Sequence, residues 1–123
     1  MTRNQTVEIN HLTVLQIQYL TELEQLEKGR GTIGAVAAKC GVKHPTVSRF
    51  FKSCIEKGYL TESLEFTDKG KKMLRWHQKV QKDVREYLER SGITEGIDDV
   101  LKGMIENIDY RRLEELTKSH MRI

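Results

Sequence analysis

Ala37, Gly41 and Val47 stand at steps of four and six within TIGAVAAKCGVKHPTVSRFF (32–51), and this spacing constrains the chain more than any other feature. It is the spacing of a helix-turn-helix. A small residue inside the first helix lets the second cross closely. A glycine makes the positive-φ turn between them, and a β-branched residue faces back into the junction. Val36, Cys40, Val42 and Phe50 are apolar at the flanking positions where such a unit needs core. The plain alternative is a helical hairpin that binds no nucleic acid.

At 123 residues the chain is one domain, or one domain with an appended dimerisation element. No apolar run reaches the roughly 18–20 residues of a membrane span, and MTRNQTVEINH lacks the apolar core of a signal peptide. A cytoplasmic protein without membrane contact is expected. Cys40 and Cys54 fall on apolar positions of predicted helices, which reads as two buried free thiols.

Net charge is only +3, but its distribution is uneven. From Lys28 to Lys57 there are seven basic residues against the single acid Glu56, whereas most of the acid lies in 1–27 and 93–123. A basic middle between acidic ends is the footprint of a nucleic-acid face. By itself it is equally a solvated helix surface.

Leu12, Leu15, Tyr19, Leu23 and Leu26 predict a first helix, ending before Gly29. Thr32 is placed to cap a helix over 33–40, and the turn is 41–44. Pro45 fits the first position of the next helix, which runs to about Lys57 and stops at Gly58. The runs 59–61 and 64–67 predict a small β-hairpin, the place of a wing. Thr67 or Asp68 caps a long helix to Arg90, with the stripe Met73, His77, Val80, Val84, Tyr87 and Leu88. Ile97, Leu101, Met104, Ile105 and Ile108 form another face. Asp109 is placed to cap a last helix through Leu113, Leu116 and His120. The expected fold is therefore mainly α with a small β-hairpin. A winged helix-turn-helix over 1–70 is followed by a helical dimerisation region over 71–123. The apolar faces of 73–88 and 97–116 exceed what a small winged helix covers, which points to a homodimer.

In a helix-turn-helix the first turns of the second helix enter the major groove. Val47, Phe50, Phe51 and Cys54 mark its buried side, leaving Thr46, Arg49, Lys52 or Ser53, and Glu56 outside. Arg49 is the predicted base reader, because its fork pairs with both acceptors of guanine. Thr46 and Ser48 are short enough to touch bases or phosphates. Lys43 and Lys52 suit phosphate anchoring. His44 and Pro45 complete the predicted DNA-binding set, His44 being a poor N-cap whose place suggests a DNA contact.

HPTVSRFFKSCIEKGYL (44–60) and FTDKGKKMLRWHQKVQKDVREYLERSGI (66–93) resemble the diphtheria-toxin-repressor family of metal-dependent regulators. The likeness is to the short, manganese-sensing type without an SH3-like third domain. It covers about residues 12–116. It implies a winged-helix reader of double-stranded DNA, a helical homodimer and repression of metal-uptake genes. The family's metal ligands do not carry over: its long-helix histidine falls on Gln81, and later ligands fall on Gly103 and Asn107, with Glu106 alone keeping its type. The acidic ligands of the first helix fall near Gln18 and Thr21. A rearranged site for Mn, Fe or Zn would use His77 and Glu106, with Asp98 or Asp99; otherwise His77 is a histidine at the edge of the core. The wing tip, Glu62-Ser63 with Glu65 following, carries acid that repels phosphate.

The leading reading is a sequence-specific DNA-binding transcription regulator, a repressor acting as a homodimer, with the family's metal site lost or altered. The alternative is a winged-helix protein-interaction module without DNA binding. No nucleophile motif or glycine-rich phosphate loop suggests an enzyme.

Overall fold

The computed structural model describes residues 12–27 and 31–121. Its six helices are, in order, α1 (Val14–Gln25), α2 (Thr32–Cys40), α3 (His44–Glu56), α4 (Asp68–Arg90), α5 (Ile97–Asn107) and α6 (Tyr110–Met121). Two compact units divide the chain: one is Leu15–Arg75, the other runs from Trp76 onward and takes in the described residues before Leu15. Among the described residues no helix is long and apolar enough to cross a membrane. Lys28 and Arg30 of the basic stretch, and the side chain of His120, lie outside what is described.

The first unit is built around the predicted helix-turn-helix. Ile17, Tyr19, Leu20 and Leu23 of α1 are buried, as are Val36 and Ala37 of α2 and Val47, Phe51 and Cys54 of α3. α2 and α3 pack on one another. Gly41 takes φ 68°, and the turn closes through hydrogen bonds from the Gly41 N–H to the Ala38 carbonyl (3.3 Å) and the Val42 N–H to the Ala37 carbonyl (3.0 Å). A side chain at Gly41 would strain this left-handed backbone. Tyr19 meets Phe50 edge-on at 5.8 Å, joining α1 to α3. Each fully buried apolar side chain here contributes about 1.5–3 kcal/mol.

Three local expectations need correction. Thr32 does not cap α2; Gly31 is the N-cap, and Thr32 is the first helical residue, buried against the unit. Lys43 is the N-cap of α3, so His44 rather than Pro45 takes the first helical position. Pro45 at the second position is still harmless, since the first four helical N–H groups have no partner within the helix. Cys54 is buried, but Cys40 is only half-buried.

The hairpin is also reduced. Among the described residues no strand forms, and the two runs meet in one antiparallel bridge, Leu60 to Phe66. The Thr61 N–H bonds the Glu65 carbonyl (2.8 Å), and the Thr67 N–H bonds that of Tyr59 (3.1 Å). The runs are too short for more. Tyr59 and Leu60 are both buried, so they do not alternate as strand residues should, and Thr67 already belongs to the next helix as its cap. Leu64 closes the turn at φ 65°, a left-handed conformation unusual for a leucine.

Thr67 caps α4 as expected. Its Oγ1 accepts from the Gly70 N–H (3.0 Å) and donates to the Gly58 carbonyl (2.5 Å), so one hydroxyl ties the start of α4 to the end of the helix-turn-helix. Met73 and Leu74 then bury the first turns of α4 in the Leu15–Arg75 unit.

In the second unit Val80, Val84 and Leu88 of α4 form one core with Leu101, Ile105, Tyr110 and Leu113. Trp76, Tyr87, Ile93, Ile97, Met104 and Ile108 pack around it. The apolar stripes that suggested a dimer thus cover each other within the chain. The large apolar side chains left exposed among the described residues are Val100 (37%) and Leu116 (39%). Asp109 caps α6 as expected, accepting from the Arg112 N–H (3.0 Å).

Candidate nucleic-acid interface

α3 presents two unlike faces. Val47, Phe51 and Cys54 are buried, and Phe50 is half-buried against Tyr19. The outer side holds Thr46, Arg49, Lys52 and Glu56, all exposed. Lys43, His44 and Pro45 are exposed at the start of the helix. Ser48 is half-buried and so less available than its neighbours, as is Ser53. The His44 ring lies beside α2 at Gly34, where an added Cβ would stand 3.9 Å from its Cδ2.

The electrostatics suit an anionic partner. Lys43, Arg49 and Lys52 form no ion pair among the described residues. The first turn of α3 holds no acidic residue, and no side chain caps its free N–H groups. The positive end of the helix therefore faces outward together with three cations. Burial pushes the Cys54 thiol up to about 12, with Lys57 nearby pulling the other way. Cys54 thus keeps its proton near neutral pH and packs as a buried, uncharged side chain of α3.

The positions where the resembled family holds metal are occupied by other bonds. The Gln81 side-chain N–H donates to the Tyr110 hydroxyl (3.0 Å), and that of Asn107 to the Gly103 carbonyl (2.7 Å). Thr21 donates to the Ile17 carbonyl (2.8 Å), and Gln18 is exposed. His77 is fully buried, with the Tyr110 ring 4.3 Å and the Trp76 ring 5.0 Å away, whereas Glu106 is exposed to solvent. Asp98 pairs with Arg85. Among the described residues no three His, Cys, Asp or Glu side chains gather to hold a metal. A divalent ion needs several converging donors, and this set does not fit one.

Sequence reasoning missed one basic surface. From Lys69 to Lys82 there are six Lys or Arg and no acid. The apolar stripe of α4 carries no signal of its opposite side, where Lys69, Lys71, Lys72 and Arg75 are exposed.

A family model described as "wHTH-PRTase associated" matches residues 9–94, well over half of the chain. Its span takes in both segments that carried the resemblance to metal-dependent regulators. It supports the winged helix-turn-helix and lends nothing to the diphtheria-toxin-repressor assignment. No curated protein and no solved structure matches the chain.

Proposed function

Because this chain belongs to the wHTH-PRTase associated family, we propose that it is a sequence-specific DNA-binding transcription regulator that reads the major groove with α3. The observation that carries this reading is the outer face of α3, where Arg49 and Lys52 stand exposed, without an ion pair among the described residues, above a fully buried Val47 and Phe51. Arg49 reads bases, and Lys43 and Lys52 anchor phosphates. A repressor acting as a homodimer completes the proposal, since two-fold proteins read paired half-sites. Its test is selection of duplexes from a random pool, followed by binding of the selected duplex against random sequence. Equal affinity for both overturns sequence-specific reading. Light scattering with and without the selected duplex tests the dimer.

The regulator we propose is not switched by manganese or iron. A ligand shifts an equilibrium only by its differential affinity, and Gln81, Gly103 and Asn107 offer a cation amides or nothing. Calorimetric titration with Mn²⁺ checks this. Stoichiometric micromolar binding that is lost in Glu106→Ala and tightens DNA binding overturns it.

A second reading draws on the family's description, which names a PRTase, a phosphoribosyltransferase. In it the winged helix docks a protein and binds no duplex. Absence of any duplex binding in the same experiment favours that reading.

A further inference from the structure

We propose that Lys71 and Lys72, in the first turns of α4, form a second phosphate contact on duplex DNA in place of the wing. The proposal rests on the reading of α3 as the DNA-binding helix. The wing is built against such a contact. Several of its backbone donors are used within the turn: the Leu64 N–H bonds the Thr61 carbonyl (2.9 Å), and the Glu65 N–H bonds the Thr61 hydroxyl (3.1 Å). The Thr61 and Thr67 N–H groups bond across the turn. What the wing shows to solvent includes Glu62 and Glu65, two carboxylates that repel phosphate.

The cations stand on the next element. Lys69 is used within the fold: its Nζ donates to the Lys57 carbonyl (2.9 Å) and lies 5.4 Å from the centre of the Tyr59 ring. Arg75 pairs with Glu24. Lys71 and Lys72 are exposed and form no ion pair among the described residues. They belong to the same compact unit as α3, so their position relative to the reader is set.

That position is at the far end of α3, because Lys69 holds the first turn of α4 to the Lys57 carbonyl. From Arg49 to Lys57 a helix rises about 12 Å. The major groove is also about 12 Å wide. A helix that reads bases at Arg49 therefore brings its C-terminal end, and the turns fastened to it, to the phosphate rim of the groove. Lysine suits that place as a compact point charge that anchors without specifying sequence.

The test is the salt dependence of duplex binding, measured by fluorescence anisotropy on a random-sequence duplex and on one selected by the protein. The Lys71→Ala/Lys72→Ala variant is expected to lose affinity for both duplexes alike. Its log-affinity against log-salt slope should become shallower by roughly two, near 0.9 for each phosphate no longer neutralised, with sequence preference unchanged. Lys71→Glu/Lys72→Glu should weaken binding further, and thermal melts monitored by circular dichroism should match wild type for both. An unchanged slope in folded variants, with Arg49→Ala still losing preference, overturns this proposal and leaves the reading of α3 standing. Wild-type protein that binds neither duplex overturns both.

Discussion

Gly70 lies so close to Tyr59 that a Cβ added to it would stand 2.0 Å from the Tyr59 carbonyl oxygen. Backbone, unlike the tip of a flexible side chain, cannot swing aside. Glycine inside a helix ordinarily costs stability relative to alanine, yet here alanine is excluded. Gly70→Ala should destabilise the protein by about 1–3 kcal/mol or more, the range for overpacking a closed contact. Urea unfolding followed by far-ultraviolet circular dichroism measures it.

The neighbouring cap makes a separate prediction. Thr67 Oγ1 holds the Gly70 N–H and the Gly58 carbonyl at once. Thr67→Ala removes both bonds and should cost about 0.5–2 kcal/mol. Thr67→Ser keeps the hydroxyl and should recover most of that. Equal loss in both variants would show that the methyl group, not the cap, matters.

On α3, Arg49 and Lys52 are both exposed but have different expected roles. Arg49→Ala should relax sequence preference, costing roughly 1–3 kcal/mol at the selected duplex and little on random DNA. Lys52→Ala should weaken all duplexes evenly and flatten the salt slope. Equal losses on both duplexes from both variants would show that the helix is turned differently in the groove.

The two thiols should separate by reactivity. Cys54 is buried, with its thiol pushed up to about 12, whereas Cys40 is half-buried and raised more mildly by burial and by Glu22. A thiol-labelling reagent should modify Cys40 first in the native protein. Cys54 should react only as the fold opens. Mass spectrometry of Cys40→Ala and Cys54→Ala variants assigns the rates.

Alkaline pH should unfold the chain gradually. Burial pushes Cys54, Tyr59 and Tyr110 up to about 12 from ordinary values of 9.0 for the thiol and 10.0 for the phenols. In that window the unfolded chain has lost protons that the folded one keeps. The stabilisation is complete below pH 9.0 and is lost as pH rises toward about 12. Urea midpoints measured across alkaline pH should fall steadily, Cys54 contributing first.

What the sequence disclosed was local. Ala37, Gly41 and Val47 answer to one crossing of two adjacent helices, so their spacing alone located it. Thr67 and Asp109 were legible as caps because a cap acts within three residues. The bond from Gln81 to Tyr110 spans 29 residues and belongs to tertiary packing, which no local pattern displays. Leu74 escaped the apolar stripe because it stands beside Met73, and the packed side of α4 is wider than one file of residues. Tyr59, Leu60 and Phe66 have the strand-like side chains that predict a hairpin, but their runs have too little length to pair beyond one bridge. Of the candidate site, the exposed face of α3 was visible in its periodicity. The lysines of α4 were in plain view but unclaimed until the fold fastened them to the end of α3.

The single bridge between Leu60 and Phe66 also narrows how another protein could be held. Recognition by strand addition needs an open sheet edge with a row of free donors and acceptors. Among the described residues no such edge exists. Among the described residues a partner protein would meet helix surfaces and loops in place of a sheet edge. Among the described residues neighbouring copies likewise meet no free strand edge, the template on which edge-to-edge pairing builds.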